Sequence, residues 1–163
     1  MQFLIQFYPA IISTLSLYFY KRDSRWMQLF YRRMTFSYNF RKLFVLSLLF
    51  LLLGFNFLYL NTYGTSLGFY SATAICMGLF FFELTEKVFF QIQKRHILGM
   101  VMFAALISGC NGEFWPMAMN LYVVIIGSIF YPAEALLKRI ADPSEFTRLA
   151  ANGCPIIKDY YSR

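Results

Sequence analysis

Apolar residues in this chain come in long runs, not in the three- and four-residue spacing of a helix half-exposed to water. Residues 43–60 are almost unbroken Leu and Phe. A second run covers 67–82 and continues to about residue 86. A third, 97–109, is short and must borrow residues from the loop after it, and a fourth covers 117–137. A helix crossing the hydrocarbon core needs about 20 mostly apolar residues, because each residue rises about 1.5 Å. A fifth stretch, 3–20, contains Gln6, Pro9, Ser13, Thr14 and Ser16, so it either spans or lies in the interface. It lacks the basic start and cleavage site of a signal peptide and reads as part of the mature chain.

The pattern predicts an all-α fold: a polytopic transmembrane helical bundle of about five spans, or four if the N-terminal helix is interfacial, with a short cytoplasmic C-terminal helix. The membrane domain covers residues 1–137, including a basic amphipathic segment at 21–42, and the tail covers 138–163. Composition agrees. The 163 residues are 59% hydrophobic and 14% charged, against roughly 25% charged in an average globular chain, so the excess apolar surface faces lipid.

Charge then sorts the gaps between the runs. Lys21, Arg22, Arg25, Arg32, Arg33, Arg41 and Lys42 precede the run at 43–60. Lys87, Lys94 and Arg95 follow the run at 67–82, while Lys138, Arg139, Arg148, Lys158 and Arg163 follow the last one. The gaps at 61–66 and 110–116 have no Lys or Arg. Basic and uncharged gaps alternate, as successive reversals require, and the basic gaps are cytoplasmic by the positive-inside rule. An integral protein of a bacterial-type inner membrane with a cytoplasmic C-terminus follows. The net charge of +7 suits anionic headgroups; direct nucleic-acid binding is not expected, because the basic residues lie between apolar runs.

Five features stand out within this frame. Read as a helix, 21–42 gathers Trp26, Met27, Phe30, Tyr31, Met34 and Tyr38 on one side and Arg25, Gln28, Arg32, Thr35 and Asn39 on the other, with Arg33 at the boundary. Such a face suits lipid or a partner, so Arg22, Arg25, Trp26, Phe30, Arg32 and Arg33 are candidate contacts. Gly64, Gly68, Ala72 and Cys76 recur every four residues and mark a close helix-packing groove. Asn56 and Glu83 are candidate intramembrane polar residues, Asn56 bonding a neighbouring helix and Glu83 pairing with Lys87 four residues on, as Glu134 pairs with Lys138. In the tail, Asp142, Pro143 and Glu145 start a helix over 143–151 that Asn152 and Gly153 stop; its Phe146 and Leu149 share a face that could dock. Finally, Cys76, Cys110 and Cys154 and the lone His96 have no metal or disulfide spacing, so neither a metal nor a cofactor is expected.

No nucleophile elbow, phosphate loop or paired carboxylate is present, and the chain does not read as an enzyme. It reads as a homo-oligomeric assembly or sensor subunit that holds or regulates a soluble cytoplasmic protein, by architectural analogy with secretion, immunity or phage-defence complexes. The alternative is an ion channel or small transporter formed by an oligomer.

Overall fold

The computed structural model describes residues 25–141, together with Tyr8, Pro9, Ile11, Ile12, Thr14, Ser16 and Tyr18. The predicted tail helix at 143–151, with Phe146 and Leu149, lies outside the described residues, as does Arg22. All regular structure among the described residues is helical, without a strand. The elements are α1 (Arg25–Phe36), α2 (Tyr38–Tyr63), α3 (Leu67–Phe80), α4 (Phe82–Ile92), α5 (Arg95–Cys110), a 3₁₀ turn at Gly112–Phe114, α6 (Trp115–Phe130) and α7 (Glu134–Ile140).

Two stretches are long and apolar enough to cross a membrane: Tyr38–Tyr63 with 26 residues and Gly112–Ile140 with 29. A third qualifies only if α3 and α4 count as one span, and these two are bent by 108°. The second run therefore does not continue as one helix to residue 86. Alone, the 14 residues of α3 reach about 21 Å, short of the roughly 30 Å hydrocarbon core. The bend contains no proline. Phe81 turns extended (φ −89°, ψ 96°), and its N–H closes a tight turn onto the Gly78 carbonyl. The Thr85 hydroxyl then faces the carbonyls of Gly78, Leu79 and Phe81 at 3.4, 3.3 and 3.1 Å. Backbone acceptors freed by the break are thus met by a side chain of the next helix.

Serine caps set two starts. Ser37 accepts from the Phe40 N–H at 3.3 Å and separates α1 from α2, so Tyr38 belongs to α2 and not to the α1 face. Ser66 accepts from the Phe69 N–H at 3.2 Å and starts α3. Gly64, at φ 78°, ends α2 in a conformation that residues with a side chain rarely adopt. It stands in the turn, so the small-residue groove begins at Gly68.

The core is made where α2, α3, α4 and α6 meet. Leu52, Phe55, Phe89, Val123 and Tyr131 are buried there, and Ala72 and Cys76 of α3 are buried as well. The outward faces of α2, α3 and α5 carry Phe50, Phe57, Met77, Phe80, Met100 and Phe103, all exposed as lipid-facing side chains are. In the N-terminal stretch, the Tyr8 hydroxyl donates to the Leu51 carbonyl at 2.8 Å and its ring meets Phe55 at 5.1 Å. Tyr8 thus packs against the middle of α2.

Gly68 is the closest backbone approach. A Cβ there would collide with the Glu113 carbonyl oxygen and lie 2.6 Å from the Phe114 Cα, both backbone atoms that no rotamer change can move. Gly68→Ala should lower stability by about 1–3 kcal/mol. Gly78→Ala, with nothing within 4 Å of the added Cβ, should leave it unchanged or slightly higher. Thermal unfolding of the detergent-solubilised protein checks both, and equal behaviour of the two variants rejects the packing assignment.

Candidate functional site

Two polar clusters lie within this apolar body. The first joins three helices at one level. Asn56 of α2 donates from Nδ2 to the Cys76 Sγ at 3.3 Å. The Cys76 thiol of α3 donates to Asn120 Oδ1 of α6 at 3.3 Å. Asn120 Nδ2 donates to Asn56 Oδ1 at 3.0 Å, closing the ring, and to the Pro116 carbonyl at 2.7 Å. All three side chains are buried. Polar atoms in hydrocarbon need partners from the protein, and each group here satisfies the next. Asn56 bonds neighbouring helices as its position suggested. Cys76, read from the sequence as a small packing residue, also supplies the bridging thiol.

The second cluster lies at the basic end of the bundle. Arg41, one turn into α2, donates from one guanidinium nitrogen to the carbonyls of Met34 and Thr35 at 3.3 and 3.2 Å. Those are acceptors at the end of α1, left open where that helix stops. The Arg41 Nε lies 3.7 Å from Glu86 Oε1, an electrostatic contact longer than a hydrogen bond, and finds no hydrogen-bond acceptor among the described residues. The Tyr131 hydroxyl donates to the same carboxylate oxygen at 2.7 Å. Gln93 completes the end, its amide donating to the Ser128 and Tyr131 carbonyls at 2.9 Å each, which caps α6.

The acidic residue held inside is therefore Glu86, not Glu83. The bend at Phe81 rotates α4 so that Thr85, Phe89 and Ile92 face the core, while Glu83 and Lys87 face outward. Glu83 and Lys87 form no ion pair. Of the two predicted i,i+4 pairs only Glu134–Lys138 forms, at 2.7 Å and largely exposed. Glu86, Tyr131 and Gln93 escaped the sequence reading because each finds its partner at least 35 residues away.

On α1, Phe30 points inward. Its ring meets Phe40 and Phe44 at 5.8 Å each and Phe130 at 6.5 Å, which anchors the helix to the bundle. Met27, Met34 and Thr35 are buried beside it. Phe30, predicted as a lipid or partner contact, thus packs inward, whereas Trp26, predicted on the same face, is 82% exposed, next to Arg25, Leu29, Arg32 and Arg33. No group of three or more His, Cys, Asp or Glu among the described residues could hold a metal ion. No family model, no curated protein and no solved structure matches this chain.

Glu86→Gln keeps an acceptor for Tyr131 but leaves Arg41, whose side chain is 13% exposed, without its counter-charge. We expect a loss of about 1–3 kcal/mol, reduced from a fully buried pair because Glu86 is 22% exposed. Glu83→Gln should stay within about 0.5 kcal/mol of the parent. Detergent melting curves of the two variants decide which carboxylate is structural. In a double-mutant cycle, Asn56→Leu and Asn120→Leu should couple by about 0.6–1.7 kcal/mol; strict additivity would mean that the ring contributes nothing.

Proposed function

We propose that this chain is a membrane-embedded assembly subunit whose basic, cytoplasmic end holds a soluble protein with an acidic surface. The observation that carries this reading is α1. It is fixed to the bundle by Phe30 and by the Arg41 bonds to its last carbonyls, yet it turns Trp26 and Leu29 outward among Arg25, Arg32 and Arg33. An exposed tryptophan and leucine framed by guanidinium groups have the composition of a contact surface: an aromatic anchor with charges that steer an acidic partner. Pre-ordering α1 lowers the entropic cost of binding.

The opposite end offers little to bind, since Glu113 is the only charged residue in its two loops. The orientation rests on the positive-inside rule. In the five-pass arrangement that goes with it, the N-terminal stretch, the bent α3–α4 pair and α5 complete the set begun by α2 and α6. Tyr8 bonding to Leu51, midway along α2, supports a passing helix over an interfacial one. The interior favours assembly over conduction. Asn56, Asn120, Thr85 and Ser128 are buried and already bonded within the protein, so these four are not free to line a path for an ion.

Tagged protein extracted in mild detergent should retain one soluble protein. Trp26→Ala with Leu29→Ser, or Arg32→Glu with Arg33→Glu, should reduce that recovery about tenfold or more without lowering the level in the membrane. Unchanged recovery rejects α1 as the contact. Ion flux in liposomes with no retained protein would favour the channel. Orientation has its own check in a Cys154→Ser background. A membrane-impermeant maleimide on intact cells should label the exposed Cys110 and spare the buried Cys76 until the protein is denatured. Labelling of Cys110 only in inverted vesicles would reverse the topology.

A further inference from the structure

The 108° break leaves a cleft that neither polar cluster uses. It measures about 470 Å³ and lies between the first turn of α2 and the first turns of α4, lined by Tyr38, Lys42, Phe82, Glu83, Leu84 and Lys87. Lys42 is held in place by rings and not by a carboxylate. Its Nζ stands 4.6 Å from the Tyr38 ring centre and 5.8 Å from that of Phe82, and the two rings meet edge to face at 5.2 Å. Neither Lys42 nor Lys87 forms an ion pair among the described residues, nor does Glu83. Two ammonium groups and one carboxylate therefore line a concave site with a net positive charge.

We propose that this cleft holds the phosphate of one anionic phospholipid, with Lys42 and Lys87 as its ligands. Opposite charge in a concave site accounts for the phosphate. The surroundings account for its being a lipid and not a soluble anion. The cleft opens at the start of α2, just before the apolar run begins, at the depth of headgroups. Its rim continues into outward-facing apolar side chains: Phe81 at 66% exposed, Leu84 at 50%, and Leu46, one turn beyond Lys42, at 48%. These give the acyl chains a surface continuous with the phosphate site. Tyr38 adds the aromatic ring common at headgroup depth. The site is separate from the α1 surface and does not depend on a soluble partner. Glu83 opposes the phosphate, which sets a limit on affinity and favours headgroups that can donate a hydrogen bond to it, such as glycerol.

The test uses the full chain, purified in detergent and stripped of lipid. It is titrated with dioleoyl phosphatidylglycerol, with dioleoyl phosphatidylcholine and with inorganic phosphate, and native mass spectrometry counts the lipid retained. One phosphatidylglycerol should bind per chain, at least about fivefold more tightly than phosphatidylcholine. Lys42→Gln and Lys87→Gln should each weaken it about fivefold, and the pair about twentyfold. Lys42→Arg should retain it, Glu83→Gln should strengthen it, and Lys138→Gln, whose lysine is paired with Glu134, should leave it unchanged. The arginine variant guards against a folding defect, since it preserves the charge at the same position. Equal binding of the two lipids overturns the proposal, as does a doubly substituted protein that binds like the parent. Displacement of the lipid by millimolar inorganic phosphate also overturns it, because the site would then belong to a soluble anion.

Discussion

A helix that stops inside or beside a bilayer leaves carbonyls with no water to bond them, and the basic end of this protein is organised around that constraint. At three of the helix breaks there, after Phe36, after Phe80 and after Phe130, a side chain from another turn takes the released acceptors. Arg41 takes those of Met34 and Thr35, Thr85 those of Gly78 and Leu79, and Gln93 those of Ser128 and Tyr131. Arg41 has the largest share, because the same guanidinium also faces Glu86, and Glu86 accepts from Tyr131. One cation thus connects the end of α1, the start of α2, the middle of α4 and the end of α6.

The two polar clusters solve different problems. The Asn56–Cys76–Asn120 ring is neutral, closed and buried, and it fixes the register of α2, α3 and α6. Nothing in it is left over to bind a solute. The basic end is charged and only partly closed: the Arg41 Nε has no hydrogen-bond acceptor among the described residues and Glu86 keeps some exposure. Rigidity therefore belongs to the ring, while the features able to meet something outside the chain belong to the basic end. Charge patterning had already marked that end in the sequence.

Which parts were legible follows from the range of the interactions. The helical class, the apolar runs, the Ala72 and Cys76 packing face and the inter-helix role of Asn56 depend on local composition or on four-residue spacing, and they could be read directly. Gly64 fits the spacing but stands in the turn, because Ser66 caps a helix that begins only at Leu67. The choice between Glu83 and Glu86 could not be made from periodicity. An unbroken helix keeps its phase through residue 86, whereas the break at Phe81 resets it. No proline or glycine occupies position 81 to announce the break; it is held by a hydroxyl four residues later. Phe30 departs from its reading for a related reason. A helical wheel groups it with Trp26 as a contact residue, but it docks among Phe40, Phe44 and Phe130, partners that spacing within α1 does not reveal, while Trp26 stays exposed.

The bend has a further consequence for how the basic end can move. With α4 turned, Phe89 is fully buried, its ring packed 5.2 Å from that of Tyr131, and the end of the bundle is closed by side chains. A Cβ at Gly127 would strike the tip of Leu48 and approach the Phe89 ring, so side chains of α2 and α4 close over α6 at this level. A shift of α4 must carry Glu86 with it, and Glu86 is tied to Arg41 and to Tyr131. Arg41 in turn holds the last carbonyls of α1. The Arg41–Glu86 contact therefore links α4 to the same side chain that bonds the end of α1.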